Sequence, residues 1–128
     1  MELESKGLAL VVDDDEMIRE STKILLELKT VNYQVVMAND GSEALVKISE
    51  LAEKREKLNL LFTDLRMPGK NGLEVARFAK SKYPYVKIII ASGNATPEDV
   101  KEAEEIGIVA FLQKPIDVKS FLEFVRKL

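Results

Sequence analysis

The chain has 128 residues, 46% of them apolar, with 19 basic and 22 acidic side chains and a net charge of −3, which is typical of one domain with its own core. Cysteine and histidine are absent, which excludes disulfides, thiol chemistry, Ser-His-Asp catalysis, His-ligated zinc and a phosphohistidine carrier within the chain. A metal would therefore take oxygen ligands, which favours magnesium, manganese or calcium.

The first part of the chain alternates between strand and helix patterns. Residues 8–12 form an apolar run typical of a buried strand, and residues 15–30 have apolar side chains at helical spacing. Residues 33–38 predict a second strand. Asp40 and Glu43 have the spacing of a capping box, which predicts the start of a second helix.

The same alternation continues through the middle of the chain. Residues 58–63 predict a third strand, and the Pro- and Gly-containing residues 67–72 predict a turn before a third helix. Residues 86–91 predict a fourth strand. A fourth helix should begin after Thr96 as N-cap, with proline at its first position, and end at Gly107.

The last elements complete five strand–helix pairs. Residues 108–113 predict a fifth strand, and Asp117 predicts the cap of a final helix. Strands that alternate with helices of this length favour parallel units with right-handed crossovers. The first, third and fourth strands are almost wholly apolar, as expected for strands covered on both faces.

Residues suited to phosphoryl chemistry follow four of the predicted strands. They are Asp13, Asp14 and Asp15 after the first strand, Asp64 after the third, Ser92 after the fourth and Lys114 after the fifth. The carboxyl ends of parallel strands share one edge of the sheet, where ligands bind. Crowded carboxylates repel each other unless a cation lies among them. The sequence therefore predicts a divalent metal beside the carboxylates and an anion near the lysine.

Four short motifs stand at these strand ends. They are Val-Val-Asp-Asp-Asp at residues 11–15, Thr-Asp-Leu-Arg-Met-Pro-Gly at 63–69, Ile-Ala-Ser-Gly at 90–93 and Lys-Pro-Ile at 114–116. In this order and at these spacings they resemble the receiver domain of two-component response regulators, over nearly the whole chain. The resemblance implies an α/β, flavodoxin-like fold: a doubly wound five-stranded parallel sheet of order 2-1-3-4-5 with five helices, as a single domain over residues 1–128.

The resemblance also implies how phosphate and metal are bound. Asp64 matches the family's phosphoacceptor, and a carboxylate can attack phosphorus to form an acyl phosphate. Asp14 would bind Mg²⁺ directly and Asp13 through water, while Asp64 and the backbone carbonyl of Arg66 would complete the protein ligands. Mn²⁺ is an alternative ion. Phosphoryl transfer depends mainly on positioning and charge neutralisation, which this set would supply.

Further matching residues would contact the phosphoryl group or respond to it. Lys114 matches the lysine that contacts phosphoryl oxygens, and the Lys114–Pro115 peptide bond is cis in the family. Ser92 matches the hydroxyl that moves toward the phosphoryl group. Phe111 stands at the position of a switch aromatic residue, although its phenyl ring has no hydroxyl.

Two positions match residues that tune phosphoryl lifetime, namely Arg66 and Asn94. Arg66 could screen the phosphoryl group or pair with Asn94. In the turn that follows, Asn71 replaces an acidic residue common in the family.

The predicted function is a phosphoacceptor that receives a phosphoryl group from a histidine kinase and signals through the face formed by helix 4, strand 5 and helix 5. It would be a signalling domain and not an enzyme, although it could catalyse its own phosphorylation and dephosphorylation. Expected partners are a sensor histidine kinase or phosphotransfer protein, a downstream effector or output domain, and a second copy in a phosphorylation-dependent dimer.

Composition sets the expected location and excludes some partners. The sequence has no basic stripe, so direct nucleic-acid binding is not expected. No apolar run is long enough to span a bilayer. Residues 1–7 lack the apolar stretch of a signal peptide. These features predict a cytoplasmic protein that does not bind membranes.

Two alternatives remain open from the sequence. Asp13 and Asp15 have the Asp-x-Asp spacing of a haloacid dehalogenase-type phosphatase, but Met17 occupies the position of the usual Thr or Val. A receiver-like binding module that never takes phosphate is the other alternative. Retention of the complete acidic set argues against it.

Overall fold

The computed structural model describes residues 6–128. The first five residues of the predicted domain, which also form most of the segment tested for a signal peptide, lie outside the described residues. The strands are β1 Gly7–Val12, β2 Tyr33–Ala38, β3 Leu60–Asp64, β4 Lys87–Ser92 and β5 Ala110–Gln113. The helices are α1 Glu16–Glu27, α2 Gly41–Glu53, α3 Gly72–Lys82, α4 Pro97–Ile106 and α5 Val118–Arg126.

The strands form one parallel sheet in the order β2-β1-β3-β4-β5. This confirms the predicted flavodoxin-like topology. All five residues of β3 are buried, as are the last five of β4, because helices cover both faces of these central strands. A run of apolar residues without alternation is therefore what the fold requires here.

Two apolar cores lie on opposite faces of the sheet. One is formed with α2, α3 and α4 and includes Ile48, Ala76 and Ala103. The other is formed with α1 and α5 and includes Leu26 and Phe121. Burial of these side chains supplies the main driving force that holds the helices on the sheet.

Strand β3, which ends in Asp64, is anchored to α5 by an aromatic contact. The rings of Phe62 and Phe121 meet edge to face, with centroids 5.4 Å apart and an interplanar angle of 74°. This is a favoured aromatic geometry. It ties the strand that carries Asp64 to the helix that follows Lys114.

Helix α1 ends at Glu27 instead of continuing to residue 30 as predicted. The carbonyl of Leu28 accepts hydrogen bonds from the amides of Val31 and Asn32, at 2.9 and 2.6 Å. Asn32 then adopts a φ of 60°, a left-handed conformation that asparagine tolerates. This turn redirects the chain into β2.

The predicted capping box at α2 is wrong in its second half. Asp40 caps the helix by accepting a hydrogen bond from the Glu43 amide at 2.8 Å. The Glu43 carboxylate, however, accepts from the Asn39 amide at 3.2 Å and not from that of Asp40. Helices α3 and α4 do begin with reciprocal boxes, at Asn71 and Thr96.

The predicted limits of α4 are confirmed, whereas the predicted cap of α5 needs correction. Pro97 opens α4 after Thr96, and Gly107 ends it with a φ of 88°. Asp117 stands at the N-cap of α5 but makes no side-chain cap to the backbone. Its carboxylate instead accepts a hydrogen bond from the Ser120 hydroxyl at 2.5 Å.

Candidate functional site

Three carboxylates meet at the carboxyl edge of the sheet, after β1 and β3. One oxygen from each of Asp13, Asp14 and Asp64 lies within 4.8 Å of the others. Asp13 and Asp64 are buried residues, at 1% and 7% exposure, and Asp14 is exposed. This all-oxygen set, open to solvent on one side, suits a hard divalent cation that keeps some of its waters.

Lys114 brings a positive charge into the same group. Its ammonium donates a hydrogen bond to Asp13 Oδ2 at 3.0 Å and lies 3.3 Å from Asp64 Oδ1. The backbone amide of Lys114 donates to the Ser92 carbonyl at 3.0 Å, which fixes the end of β5 beside β4. The Lys114–Pro115 peptide bond is cis.

Burial and charge shift the pKa of two of these groups. Burial raises the pKa of Asp64 above 3.8; Lys114 opposes this rise, and the charge of Asp13 adds to it. Burial alone would lower the pKa of Lys114, but its hydrogen bond to Asp13 and the charges of both aspartates raise it above 10.5. The folded protein therefore holds a firmly charged ammonium beside a carboxylate whose ionisation is disfavoured.

We expect Asp64→Asn to raise the free energy of unfolding by about 1 kcal/mol at pH 7, since it removes a carboxylate that is costly to keep ionised in a buried site. The folded-state pKa of Asp64 lies above its unfolded value, so protonation stabilises the folded wild-type protein. The gain from Asp64→Asn should therefore shrink as the pH falls through that folded-state pKa.

Urea unfolding between pH 7 and pH 4 measures this difference. Glu123→Gln, which alters an exposed carboxylate on α5, is the control and should change stability little at either pH. A variant Asp64→Asn that is less stable than the wild type at pH 7 would contradict the prediction.

Ser92 and Asn94 form a small hydrogen-bonded unit after β4. The buried Ser92 hydroxyl donates to Asn94 Oδ1 at 3.0 Å and accepts from the Asn94 amide at 3.2 Å. The half-buried Phe111, on β5, lines with Ser92 and Val100 a cavity of about 340 Å³. The hydroxyl and the aromatic ring that the sequence singled out thus line the same cavity.

Arg66 pairs with Asp99 and not with Asn94. Its guanidinium Nη2 lies 2.5 Å from Asp99 Oδ2, in the first turn of α4. The alternative in which Arg66 pairs with Asn94 is wrong for this structure. A charged acceptor makes a stronger hydrogen bond with a guanidinium than an amide oxygen does, and the Asn94 oxygen already accepts from Ser92.

Contacts from neighbouring residues hold the two buried aspartates in place. The Asp15 amide donates to Asp13 Oδ1 at 2.9 Å, and Arg19 Nη1 donates to the Asp13 carbonyl at 2.9 Å. The Thr63 hydroxyl donates to the Asp64 carbonyl at 2.9 Å. No sequence signal marks the arginine or threonine contacts, because helices and strands carry many such residues.

Gly72 allows the loop after β3 to fold closely against Asp64. Its amide donates to the Leu65 carbonyl at 2.9 Å. A Cβ at position 72 would overlap the carbonyl oxygen of Asp64 and lie 3.1 Å from the Leu65 Cα. A residue without a side chain is therefore required here, and the turn composition of residues 67–72 was the only sequence signal for it.

A model of the response regulator receiver domain family matches residues 9–126. The chain therefore belongs to the response regulator receiver domain family, as the motifs predicted. It is similar, at 36% identity over 111 residues, to the CAI-1 autoinducer sensor kinase/phosphatase CqsS of Vibrio cholerae, covering 84% of this chain and 15% of that protein. It is 30% identical over 115 residues to the transcriptional regulatory protein FlgR of Helicobacter pylori, covering 90% of this chain and 28% of that one.

Solved structures show the same fold. A CheY-like receiver domain from Methanospirillum hungatei superposes with a TM-score of 0.84 at 32% identity, covering 96% of this chain and 93% of that one. A response regulator from Burkholderia pseudomallei, with a phosphorylated aspartic acid, calcium ion and citrate, gives a TM-score of 0.76 at 28% identity, covering 91% and 65%.

Family membership places the chain in two-component signalling, as a signalling domain and not a conventional enzyme. It excludes the phosphatase alternative. The position of Asp15 is consistent with this, since its carboxylate caps α1 by accepting a hydrogen bond from the Ile18 amide at 3.1 Å.

The chain spans only 15% and 9% of the lengths of two of its curated relatives, both sensor kinases. Within residues 6–128, no helix is long and apolar enough to cross a membrane.

Proposed function

We propose that Asp64 accepts a phosphoryl group from the phosphohistidine of a sensor histidine kinase or phosphotransfer protein, in a Mg²⁺-dependent reaction. The observation that carries the proposal is a buried carboxylate set between two further carboxylates and an ammonium. Transfer would form a bond between an Asp64 oxygen and phosphorus and break the bond between phosphorus and the histidine nitrogen, whose electron pair stays on the imidazole.

The residues at this edge fit a magnesium ion. Asp13, Asp14 and Asp64 would hold it, with the backbone carbonyl of Arg66 as a further ligand and Mn²⁺ as an alternative ion. When bound, the ion supplies positive charge that offsets repulsion among the carboxylates and the phosphoryl oxygens.

Lys114 would bind phosphoryl oxygens after transfer. Its ammonium contacts Asp13 and Asp64 and is kept protonated by them. A phosphoryl group on Asp64 would bring oxygens of higher charge to the same place, so the ammonium can exchange one anionic partner for another. A lysine serves here because a flexible point charge can follow the group.

The phosphoryl group would also shift the protein between two conformations. Ser92 would exchange its bond to Asn94 for one to a phosphoryl oxygen, and Phe111 would repack in the adjoining cavity. The face formed by α4, β5 and α5 would then change shape. Such a change is a population shift, driven by contacts that only one conformation makes with the added charge.

Partners and location follow from the same proposal. The relatives include a sensor kinase/phosphatase and a transcriptional regulatory protein, which supports a kinase as donor and an effector protein or output domain as receiver of the signal. We also propose that phosphorylation promotes dimer formation and that the receiver domain includes residues 1–128. The protein would be cytoplasmic and would not bind nucleic acid or membranes directly.

Intact mass spectrometry tests the proposal. With Mg²⁺ and acetyl phosphate, the wild-type protein should gain one phosphoryl group, and chelation of the metal should prevent it. Asp64→Asn should gain none, whereas Asp117→Asn, an exposed carboxylate after β5, should react like the wild type. Absence of an adduct on the wild type would favour a binding module that never takes phosphate. An equal adduct on Asp64→Asn would show that another residue accepts the phosphoryl group.

A further inference from the structure

Arg66 and Asp99 link the two segments that flank the candidate site. Arg66 lies in the loop between β3 and α3, two residues after Asp64, and Asp99 lies in the first turn of α4. Their contact of 2.5 Å connects these segments. The Asp99 side chain is mostly covered, at 14% exposure, while that of Arg66 is 44% exposed.

The Asp99 carboxylate also caps α4. Its Oδ2 atom, which contacts Arg66, accepts a hydrogen bond from the Thr96 amide at 2.9 Å. The Asp99 amide in turn donates to the Thr96 hydroxyl at 3.1 Å. Hydrogen bonding to the Thr96 amide, then to the Thr96 side chain, and the charge of Arg66 lower the pKa of Asp99 below 3.8, against a smaller opposing effect of burial. The same carboxylate thus caps the helix and holds the Arg66 guanidinium.

A phosphoryl group on Asp64 would compete for the same guanidinium. It carries close to two negative charges at pH 7 and would be attached two residues from Arg66. A guanidinium favours the oxygens of either a carboxylate or a phosphate. Because Arg66 is half exposed and its partner is on another element, a change of partner requires only rotation of its side chain.

We propose that Asp99 is a positioning residue, which holds Arg66 against the first turn of α4 and so withholds it from the phosphoryl group. The inference rests on the proposed function of Asp64. Loss of the group is hydrolysis, in which water attacks phosphorus, the bond to the Asp64 oxygen breaks, and the carboxylate and inorganic phosphate are released. A guanidinium on the phosphoryl oxygens would obstruct the water, so release of Arg66 from Asp99 lengthens the phosphoryl lifetime.

The test compares how fast the wild-type protein and Asp99→Asn lose the phosphoryl group. After acetyl phosphate is removed, the decay of the adduct is monitored by intact mass spectrometry. Asparagine retains an oxygen that can accept from the Thr96 amide, so the cap of α4 is kept while the negative charge is lost. Exposed ion pairs have modest strength, and we expect loss in Asp99→Asn to be about two- to fivefold slower.

Two further variants separate positioning from a structural effect. Glu102→Gln removes an ion pair between Glu102, which is also on α4, and Arg77 on α3. Neither residue belongs to the carboxylate group, so this change should leave the rate unchanged. In an Arg66→Gln background, Asp99→Asn should no longer slow the loss, since no guanidinium is left to release. Thermal unfolding checks that every variant is folded.

The outcomes distinguish this inference from the proposed function. An unchanged or faster rate in Asp99→Asn, or a slower rate that persists without Arg66, would overturn the role of Asp99 while phosphorylation of Asp64 stands. A wild-type protein that takes no phosphoryl group would overturn both. Slower loss that requires Arg66 and is absent in Glu102→Gln supports the inference.

Discussion

Lys114→Met should lower the free energy of unfolding by about 2–3 kcal/mol in metal-free buffer. The change leaves the buried carboxylates of Asp13 and Asp64 without the ammonium that contacts both, and buried charges that lose a partner are strongly destabilising. Partial access to solvent at the edge of the sheet keeps the loss below that of a fully buried pair. Methionine preserves the length and the apolar stem of the side chain.

Magnesium should then stabilise Lys114→Met more than the wild type. Without the ammonium, more negative charge is free to attract a divalent ion, and an ion that binds only the folded state adds to stability. Urea unfolding with and without Mg²⁺ measures both effects. Lys119→Met, at an exposed position of α5, is the control, and it should match the wild type in both buffers.

If Lys114→Met unfolds at the wild-type urea concentration in metal-free buffer and gains nothing extra from Mg²⁺, the ammonium does not compensate the two carboxylates. The electrostatic account of the site would then be wrong, although the fold would be unaffected.

Gly72→Ala should cost about 3 kcal/mol of stability and reduce phosphorylation of Asp64. An added Cβ would overlap the Asp64 carbonyl oxygen and crowd the Leu65 Cα. Both are backbone atoms that cannot rotate away, so the loop after β3 must move, at the cost typical of overpacking or slightly more. At an unobstructed helix position the same change would stabilise the protein. A loss of stability would therefore show that the backbone obstructs the added Cβ.

Gly93→Ala is the matched control for this substitution. Position 93 also lies at the carboxyl edge of the sheet. Among residues 6–128, apart from its chain neighbours, the one atom within 4 Å of a Cβ there would be the Lys114 Cβ, at 4.0 Å. We expect its stability to stay within about 1 kcal/mol of the wild type. Thermal unfolding and the yield of the phosphoryl adduct provide the two measurements. Equal stability of Gly72→Ala and Gly93→Ala would show that the loop accommodates the added methyl group.

Sequence periodicity predicted the elements because burial on both faces leaves a simple pattern. Strand β3 is buried at every position, and its predicted sequence has no charged residue before Asp64. Helix α4 carries its limits in local signals, Thr96 and Pro97 at the start and Gly107 at the end. The end of α1 was misplaced because the turn at Leu28 depends on backbone hydrogen bonds that side-chain pattern does not report.

The polar contacts between segments were less predictable. From the sequence, Arg66 could pair with more than one acceptor. Its pairing with Asp99 follows from the packing of α4 beside the loop after β3. The need for glycine at position 72 likewise arises from the backbone of Asp64, eight positions away in the sequence. Partners of this kind are set by which elements become neighbours in space.

By itself, the sequence determined the parallel α/β fold and the carboxylates, hydroxyl and ammonium at the strand ends, because strand pattern and strand-end residues are both local in the chain. The tertiary structure decided the distances that make Asp13, Asp64 and Lys114 one electrostatic unit. It also decided the partner of Arg66. The physical reason is that charge interactions depend on separation and burial, which exist only once the strands are assembled side by side.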